Sequence, residues 1–352
     1  MTLPFTQLLL KWNSSSNHRP MPWKGEKDPY KIWLSEIILQ QTRVEQGWAY
    51  YENFIKKYPT IFKLAQAQDE QVFKLWEGLG YYNRCRNLLH TARFIVDEYK
   101  GVFPNTYDAL IGLKGVGPYT ASAIASFAFN LPYAVVDGNV FRVFARFYGI
   151  TLATDTKEGM QVFNQVAYEN LDTQKAGLYN QALMDFGATV CKPMAPLCGD
   201  CVMQKNCVAF NTNQINLLPI KSKQIKKRRR YFDFFIFTYK NNFLIQKRSK
   251  EDIWAGLYQF YLVENTSLIP AQPTYLKQVL QNQLGMKNNH FIHTGFSAPV
   301  HQQLTHQSLT VRFIEVTLTT KPAAFSKAIW VPKAKLRAYP FPKTIIDFLQ
   351  HQ

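Results

Sequence analysis

The sequence has 352 residues, of which 47% are hydrophobic, so it is long enough for two packed domains with sizeable cores. Its formal net charge of +17 predicts a polyanionic partner, with nucleic acid as the first candidate and an anionic membrane surface as the second. No stretch approaches the roughly 18 apolar residues of a membrane helix, and the N-terminus lacks a signal-peptide pattern, so no membrane partner is expected.

Residues 1 to 210 predict an all-helical domain, because apolar residues recur there at helical spacing between Pro and Gly residues. The helical segments with the clearest period are Ile32–Gln41, Val72–Gly78, Leu88–Tyr99, Tyr119–Phe129 and Val140–Tyr148.

Glu36 lies in the first of these segments, where its neighbours on the same helix face are Ile32, Trp33 and Leu39. A carboxyl group among such side chains is desolvated, which raises its pKa and suits a general acid. The alternative is an ordinary surface glutamate near the start of a helix, and spacing alone favours that alternative.

Two glycines, Gly115 and Gly117, separate two helical segments and permit a tight turn that can approach another molecule closely. Pro118 suits the first turn of the next helix, whose unpaired N–H groups can bind a phosphate oxygen. This pattern is typical of a helix-hairpin-helix, here at about residues 106–130, and predicts sequence-independent binding of the DNA backbone. Alone, it also fits an ordinary turn between helices.

Asp137 precedes the helical segment that includes Val140, and by itself it is most simply an N-cap. A helix N-terminus also keeps a carboxylate ionised, so Asp137 can be anionic while Glu36 is protonated. Two carboxyl groups with opposite protonation preferences are what cleavage of a glycosidic bond requires.

Four of the five cysteines are spaced C-x6-C-x2-C-x5-C, at Cys191, Cys198, Cys201 and Cys207. Thiolates at such short intervals predict a metal site, and an iron–sulfur cluster is favoured over zinc, the minor alternative. A thiolate-bound metal without a disulfide pattern predicts a reducing, cytoplasmic setting.

From residue 221 to 230 the chain reads KSKQIKKRRR, with no acidic residue. Such a run is usually a solvated linker, predicted here at 211–230, and a linker that contacts phosphates is the alternative. Residues 231–352 then predict a small α+β domain. Strands are expected at Tyr231–Tyr239, Phe243–Arg248, Leu257–Val263 and Leu309–Leu318, and helices at Tyr275–Leu284 and Lys343–Leu349.

These motifs together resemble the MutY-type adenine DNA glycosylases of the endonuclease III superfamily. The resemblance covers nearly the whole chain and is densest between residues 19 and 207. Besides the glycine turn and the four cysteines, it rests on Arg19…Pro22-Trp23, Pro29–Glu36, Leu39-Gln40-Gln41-Thr42, Gly78-Leu79-Gly80-Tyr81-Tyr82 and Val136–Val140.

The resemblance implies a monofunctional enzyme that removes adenine mispaired with 8-oxoguanine or guanine. Glu36 would protonate the flipped adenine at ring nitrogen 7, and Asp137, oriented by Asn139, would stabilise the sugar cation or bond to it transiently. Tyr119 occupies the position of the Schiff-base lysine of bifunctional relatives, so AP lyase activity would be absent or weak. The adenine pocket would be lined by Arg19, Met21 and Trp23.

The resemblance also implies double-stranded DNA as the partner of a monomer associated with a bacterial nucleoid. The cysteines would hold one [4Fe-4S] cluster that shapes a DNA-facing loop away from the chemistry. Gln41 and Tyr81 would enter the base stack beside 8-oxoguanine. Further DNA contacts are expected from Thr42, Leu79, Lys114, Gly115 and Gly117, of which Lys114 stands where relatives carry proline.

Residues 231–352 resemble the MutT-like, Nudix-fold domain of this family. Trp254–Phe260 matches the domain's signature, with Ala255 where glycine is common, but the glutamate-rich helix of true Nudix hydrolases is missing. The loop that reads 8-oxoguanine, Phe-Ser-His in relatives, aligns with Leu304, Thr305 and His306. Thr305 keeps a hydroxyl group, whereas Leu304 loses an aromatic surface.

Three other functions remain open on the sequence. A bifunctional pyrimidine-lesion lyase is disfavoured by Tyr119 and by the second domain, and a Nudix-type nucleotide hydrolase by the missing glutamates. A non-catalytic, redox-sensing iron–sulfur protein would need only the charge and the cluster, and it would not need Glu36.

Overall fold

The structure is a computed structural model that describes residues 4–222, 227–249, 251–287, 290–321, 325 and 328–351. Residues 223–226 of the basic run therefore lie outside the described part of the chain. The chain divides into two compact units, Met1–Ala67 with Arg86–Lys223, and Gln68–Cys85 with Gln224–Gln352. None of the described helices combines the length and the apolar character that crossing a membrane would need. Apart from the end of the linker, the domain boundaries drawn from the sequence stay predictions.

The described residues up to 211 form helices joined by turns and loops, as their period predicts. In chain order these are α1 (Phe5–Ser16), α2 (Pro29–Leu39), α3 (Val44–Lys57), α4 (Ile61–Ala65), α5 (Asp69–Trp76), α6 (Asn83–Tyr99), α7 (Tyr107–Ile111), α8 (Pro118–Phe129), α9 (Gly138–Tyr148), α10 (Lys157–Glu169), α11 (Ala176–Thr189) and α12 (Val208–Asn211). Large rings fill one core of the first unit, among them the fully buried Phe144, Phe163 and Phe186 on α9, α10 and α11. This core fixes α9, the helix whose N-terminus Asp137 caps.

The glycine turn joins α7 to α8 as the sequence predicts. Gly115 has a φ of +83°, and a Cβ placed on it would lie 2.7 Å from the Cβ of Asn87, so the position requires glycine. Thr91 Oγ1 donates to the carbonyl oxygen of Lys114 at 2.8 Å, and Pro118 begins α8. The turn is therefore held against α6, and the Lys114 side chain is exposed.

The second unit contains an eight-stranded mixed sheet. Its strands are β1 (Arg228–Tyr239), β2 (Asn242–Lys247), β3 (Tyr258–Gln259), β4 (Tyr261–Asn265), β5 (Phe291–Phe296), β6 (Val300–Gln303), β7 (Gln307–Leu318) and β8 (Ala328–Pro332). β1 pairs in parallel with β7 and antiparallel with β2 and β4, while β6 and β5 pair with β7 and β8 with β2.

Both faces of this sheet are covered. Phe232 and Phe234 of β1 belong to one core and Phe235 and Phe237 to the other, because successive side chains along a strand point to opposite faces of the sheet. The helices of the unit are α13 (Pro273–Lys277), which continues as a π-helical turn at Gln278–Gln283, α14 (Lys333–Leu336) and α15 (Lys343–Gln350). The α+β prediction is thus confirmed, as are the predicted helices around Tyr275–Leu284 and Lys343–Leu349.

Two details of the predicted second domain are wrong. The strand expected at Leu257–Val263 is split, because β3 pairs with β2 and β4 with β1 on either side of the fully buried Phe260. The end of the predicted solvated linker is not a linker, because Arg228–Arg230 begins β1. Arg230 is only 6% exposed and forms ion pairs with Asp252 and Glu264.

Candidate active site

Glu36 lies on the buried side of α2, a helix begun by Pro29 and capped by the Asp28 carboxylate, which accepts from Tyr30 N at 2.9 Å. Its side chain is 5% exposed, as the apolar neighbours in the sequence predict. Burial raises the pKa of Glu36 to about 7; a hydrogen bond from Tyr119 opposes this rise and the charge of Asp137 adds to it. Glu36 therefore carries a proton near neutral pH that it can donate.

Tyr119, the second residue of α8, brings its hydroxyl group to the Glu36 carboxyl group. Burial, reinforced by the two nearby carboxyl groups, raises the pKa of Tyr119 well above its usual value. The phenol therefore stays protonated and donates to Glu36. α8 is also tied to α2 by a 3.2 Å hydrogen bond from Gln40 Nε2 to Thr120 Oγ1, which holds the pair in place.

Asp137 caps α9, as its position in the sequence predicts. Its Oδ1 accepts from Asn139 N and Val140 N, both at 2.8 Å, and its Oδ2 accepts from Asn139 Nδ2 at 2.7 Å. Burial raises the pKa of Asp137, and these hydrogen bonds oppose the rise. From the sequence, only the effect of the helix N-terminus on the pKa of Asp137 was expected, whereas burial has the larger effect on that pKa. Three N–H donors on two oxygens nevertheless favour the anionic form.

Arg142 links Asp137 to the cysteine segment, a connection that the sequence analysis missed. Its Nη2 donates to Asn139 Oδ1 at 2.8 Å, and its Nε donates to the Cys191 carbonyl oxygen at 2.7 Å. The same Nη2 donates to the Gly187 carbonyl oxygen at 2.7 Å. The available signal was an arginine one helical turn after Asn139 in an otherwise apolar segment. The Arg142 guanidinium group thus orients Asn139, and Asn139 in turn orients the Asp137 carboxyl group.

The family resemblance implies that Asp137 acts in base excision, so replacing Arg142 with Met is expected to lower the excision rate by about 10–100-fold, a typical cost of losing a group that orients a functional side chain. Arg93→Met is the matched control, because Arg93 also binds two backbone carbonyl groups, those of Ala65 and Ala67. Single-turnover base excision and thermal melting would be measured for both. A rate within about threefold of the unchanged protein for Arg142→Met would refute the role.

The segment predicted to line the adenine pocket is tied to α11 by Asp185, a second group that the sequence analysis missed. The fully buried Asp185 accepts from Arg19 Nη1 at 3.0 Å and from Lys24 Nζ at 2.9 Å. Trp23 is buried with its ring edge-on to Tyr51, and Met21 is half-buried. Arg19 is therefore held in an ion pair, and its predicted place in the pocket stays a prediction.

Two residues predicted to enter a base stack have left-handed backbones and exposed side chains. Gln41 has a φ of +57° in the first unit, and Tyr81 has a φ of +48° in the second, where 44% of it is exposed. The Arg84 guanidinium lies 5.4 Å from the Tyr81 ring centre and supports it from one side. Thr42 is half-buried, and the side chain of Leu79 is buried.

The turn between β6 and β7 carries Leu304, Thr305 and His306, and the structure brings this turn to Tyr81 within the second unit. The hydroxyl groups of Tyr81 and Thr305 are hydrogen-bonded to each other. Leu304 packs against a core of the sheet, while His306 is exposed. A predicted stacking ring and a predicted reading hydroxyl group thus meet at one place.

Comparisons with known proteins match both units. The model for HhH-GPD superfamily base excision DNA repair proteins matches residues 34–167, and the NUDIX domain model matches residues 234–351. An adenine DNA glycosylase from Buchnera aphidicola subsp. Acyrthosiphon pisum is 36% identical over 262 residues, which are 74% of this chain and 75% of that protein. This chain belongs to the adenine DNA glycosylase family.

Two further similarities agree with the family. The adenine DNA glycosylase from Buchnera aphidicola subsp. Baizongia pistaciae is 34% identical over 300 residues, 82% of this chain and 84% of that protein. The structure of a thermostable thymine-DNA glycosylase covers 59% of this chain and 95% of its own, with 29% identity and a TM-score of 0.55. The family resemblance and fold class inferred from the sequence are confirmed.

The four cysteines of this adenine DNA glycosylase family member line one largely apolar pocket, together with Arg146. Arg146 Nη1 lies 3.5 Å from Cys191 Sγ and donates to the Lys192 carbonyl oxygen at 2.7 Å, so a cation faces the thiols. Within the described residues, no three His, Cys, Asp or Glu side chains converge closely enough for a metal ion. Four thiols around one pocket with a guanidinium group beside them have the donor chemistry that an iron–sulfur cluster or zinc requires.

Proposed function

We propose that this protein hydrolyses the N-glycosidic bond of adenine mispaired with 8-oxoguanine or guanine in double-stranded DNA, and does not cleave the strand. One observation carries the proposal: the buried Glu36 carboxyl group, whose pKa is raised to about 7, lies close enough to Asp137 for their charges to interact, and the Asp137 oxygens accept three N–H hydrogen bonds. This pairing provides an acid for the departing base and an anion for the sugar.

In the proposed mechanism, Glu36 transfers its proton to ring nitrogen 7 of the flipped adenine. The base then leaves with the electron pair of the glycosidic bond, and positive charge develops on the sugar. Asp137, held by Asn139, stabilises that charge or bonds transiently to the anomeric carbon. Water then adds to that carbon, displacing Asp137 where the bond has formed, and gives a proton to the Glu36 carboxylate left by the first step. Tyr119 keeps its proton and offers no amine, so it forms no Schiff base.

The four cysteines would hold one [4Fe-4S] cluster, which when bound would cross-link residues 191–207 and play no part in proton transfer. Arg146 would offset the negative charge of the thiolates, and Arg142 would extend the order of this segment to Asn139. The close fit between Gly187 and Asn139, where an added Cβ would lie 2.7 Å from the Asn139 Cβ, supports this coupling.

For the base opposite adenine, Thr305 would supply the hydroxyl group that reads 8-oxoguanine and Tyr81 the ring that fills the stack. Their mutual hydrogen bond supports a shared task. His306 is exposed and free of the core, so it can turn towards DNA, whereas Leu304 anchors the turn to the sheet.

The test uses duplexes that contain adenine opposite 8-oxoguanine, guanine or thymine, with enzyme in excess. Alkali should release a cut strand from the first two duplexes and not from the third, and no cut strand should appear without alkali. If alkali releases nothing from the 8-oxoguanine duplex, the proposed function is wrong. Efficient trapping of a covalent adduct with borohydride would instead support a bifunctional lyase.

Lys114→Ala is expected to weaken DNA binding equally for all duplexes, because the exposed Lys114 would contact a phosphate group rather than a base. The loss of one phosphate contact should also reduce the magnitude of the negative slope of log K against log salt concentration by about 1. Binding titrations between low and moderate salt would measure the slope. Lys100→Ala on the exposed end of α6 is the control and should leave it unchanged. An unchanged slope for Lys114→Ala would show that the glycine turn is not a phosphate site.

A further inference from the structure

The Trp254–Phe260 signature has no role in the proposed chemistry. One buried guanidinium group nevertheless connects its loop to the turn at Leu304–His306, which is predicted to recognise 8-oxoguanine and is called the reading turn. Arg230 Nη1 donates to Asp252 Oδ1 at 2.7 Å and to Gln307 Oε1 at 3.2 Å. Asp252 lies two residues before the signature loop, and Gln307 directly follows His306. Arg230 therefore bridges two loops of the second unit that are far apart in sequence.

The reading turn closes on Gln307. The Leu304 N–H donates to the Gln307 carbonyl oxygen at 2.8 Å, and Gln303 Nε2 donates to the same oxygen at 3.0 Å. The Arg228 N–H donates to the His306 carbonyl oxygen at 3.0 Å. The backbone of Gln307 thus ends the turn, and its side chain is held by Arg230.

The signature side of the bridge is equally constrained. Asp252 Oδ2 accepts from Arg248 Nη2 at 2.6 Å, and Arg248 Nε donates to the Ile253 carbonyl oxygen at 2.8 Å. Trp254 has a φ of +60°, a strained value for a bulky residue that only a well-fixed loop retains. The loop start is therefore a rigid support.

All five N–H donors of Arg230 are used. Nε donates to Glu264 Oε1 at 2.7 Å, and Nη2 donates to Glu264 Oε2 at 2.6 Å and to Asp252 Oδ2 at 2.8 Å. With the two bonds from Nη1, the planar guanidinium group meets two carboxylates and one carboxamide in fixed directions. A lysine ammonium group would keep the charge but could not reproduce this geometry.

We propose that Arg230 is a positioning residue for recognition of the base opposite adenine, because it fixes the turn that carries Thr305 and His306 through Gln307. The inference rests on the proposed function, since it assigns the means by which 8-oxoguanine is preferred over guanine. A purely structural role would instead affect both substrates alike.

The decisive variants are Arg230→Lys and Gln307→Met, with Arg312→Lys as the matched control. Arg312 is a buried guanidinium group in the same unit that pairs with both oxygens of Asp233 and donates to the Ile269 carbonyl oxygen. Single-turnover excision rates opposite 8-oxoguanine and opposite guanine would be measured for each, with thermal melting.

Arg230→Lys and Gln307→Met are expected to lower the ratio of the two rates at least about tenfold, while excision opposite guanine changes less than about threefold. Arg312→Lys should keep the ratio. An unchanged ratio in Gln307→Met, or an equal loss in Arg312→Lys, would overturn the inference, and Gln307→Met decides if Arg230→Lys fails to fold. Failure of the unchanged protein to excise adenine would overturn the proposed function itself.

Discussion

Glu36→Gln is expected to abolish nearly all adenine excision, with a single-turnover rate lowered by about 10²–10⁴-fold, and at the same time to stabilise the fold at alkaline pH. The amide cannot donate the proton that the departing base needs, but it has the same shape and can still accept from Tyr119. DNA binding should therefore survive. A variant that excises adenine within about tenfold of the unchanged protein would remove Glu36 from the chemistry.

The stability gain follows from the sign of the pKa shift. The pKa of Glu36 is about 7 in the folded protein against an ordinary 4.5, so the folded state binds more protons between these pH values and loses stability as pH rises through them. The full cost of the ionised side chain, present above about pH 7, is about 3 kcal/mol. Below pH 4.5 there is no cost.

Melting curves at pH 5 and pH 8 would separate these effects. Glu36→Gln should raise the melting temperature by several degrees at pH 8 and by clearly less at pH 5, whereas Glu98→Gln, a change at an exposed position on α6, should raise it at neither. Excision by the unchanged protein should fall as pH rises through about 7, because the acid loses its proton. Equal shifts in melting temperature at pH 5 and pH 8 would contradict a Glu36 pKa that is raised by burial.

The sequence was sufficient where function depends on local pattern. The apolar neighbours of Glu36 one helical turn away indicated its burial, which is confirmed, although spacing alone favoured a surface glutamate. Asp137 was predicted as an N-cap of α9, and its contacts with Asn139 N and Val140 N confirm the cap. The period of apolar residues, the glycines of tight turns and the helix caps each depend on residues that are close in sequence, so they can be predicted without a structure.

The sequence failed where partners are distant along the chain. Arg19 meets Asp185 across 166 positions, and Arg230 meets Asp252 and Glu264 across 22 and 34 positions. The basic run at 221–230 contains no acidic residue and was therefore predicted to be a solvated linker. The carboxylates that pair with Arg230 come from other parts of the second unit, which the run itself does not reveal. The effect of burial on the pKa of Asp137 was missed for the same reason, because desolvation depends on the whole packed unit rather than on the helix that Asp137 caps.

Asp137→Asn is expected to lower adenine excision by about 10³-fold while leaving the fold intact, and it separates the two roles that the sequence allowed. Asparagine is as good an N-cap as aspartate, so α9 keeps its start. The substitution removes the negative charge that would face the sugar cation. It also replaces the oxygen that accepts from Asn139 Nδ2 with an NH₂ group, so one of the two amide groups would have to rotate.

The matched control is Asp28→Asn, which makes the same change at the N-cap of α2, where the carboxylate accepts from Tyr30 N. It should leave excision within about threefold and shift the melting temperature about as much as Asp137→Asn does. If both variants excise adenine at comparable rates, Asp137 is only a cap. If Asp137→Asn alone loses activity at an unchanged melting temperature, the charge is catalytic, because shape, capping and stability have all been held constant.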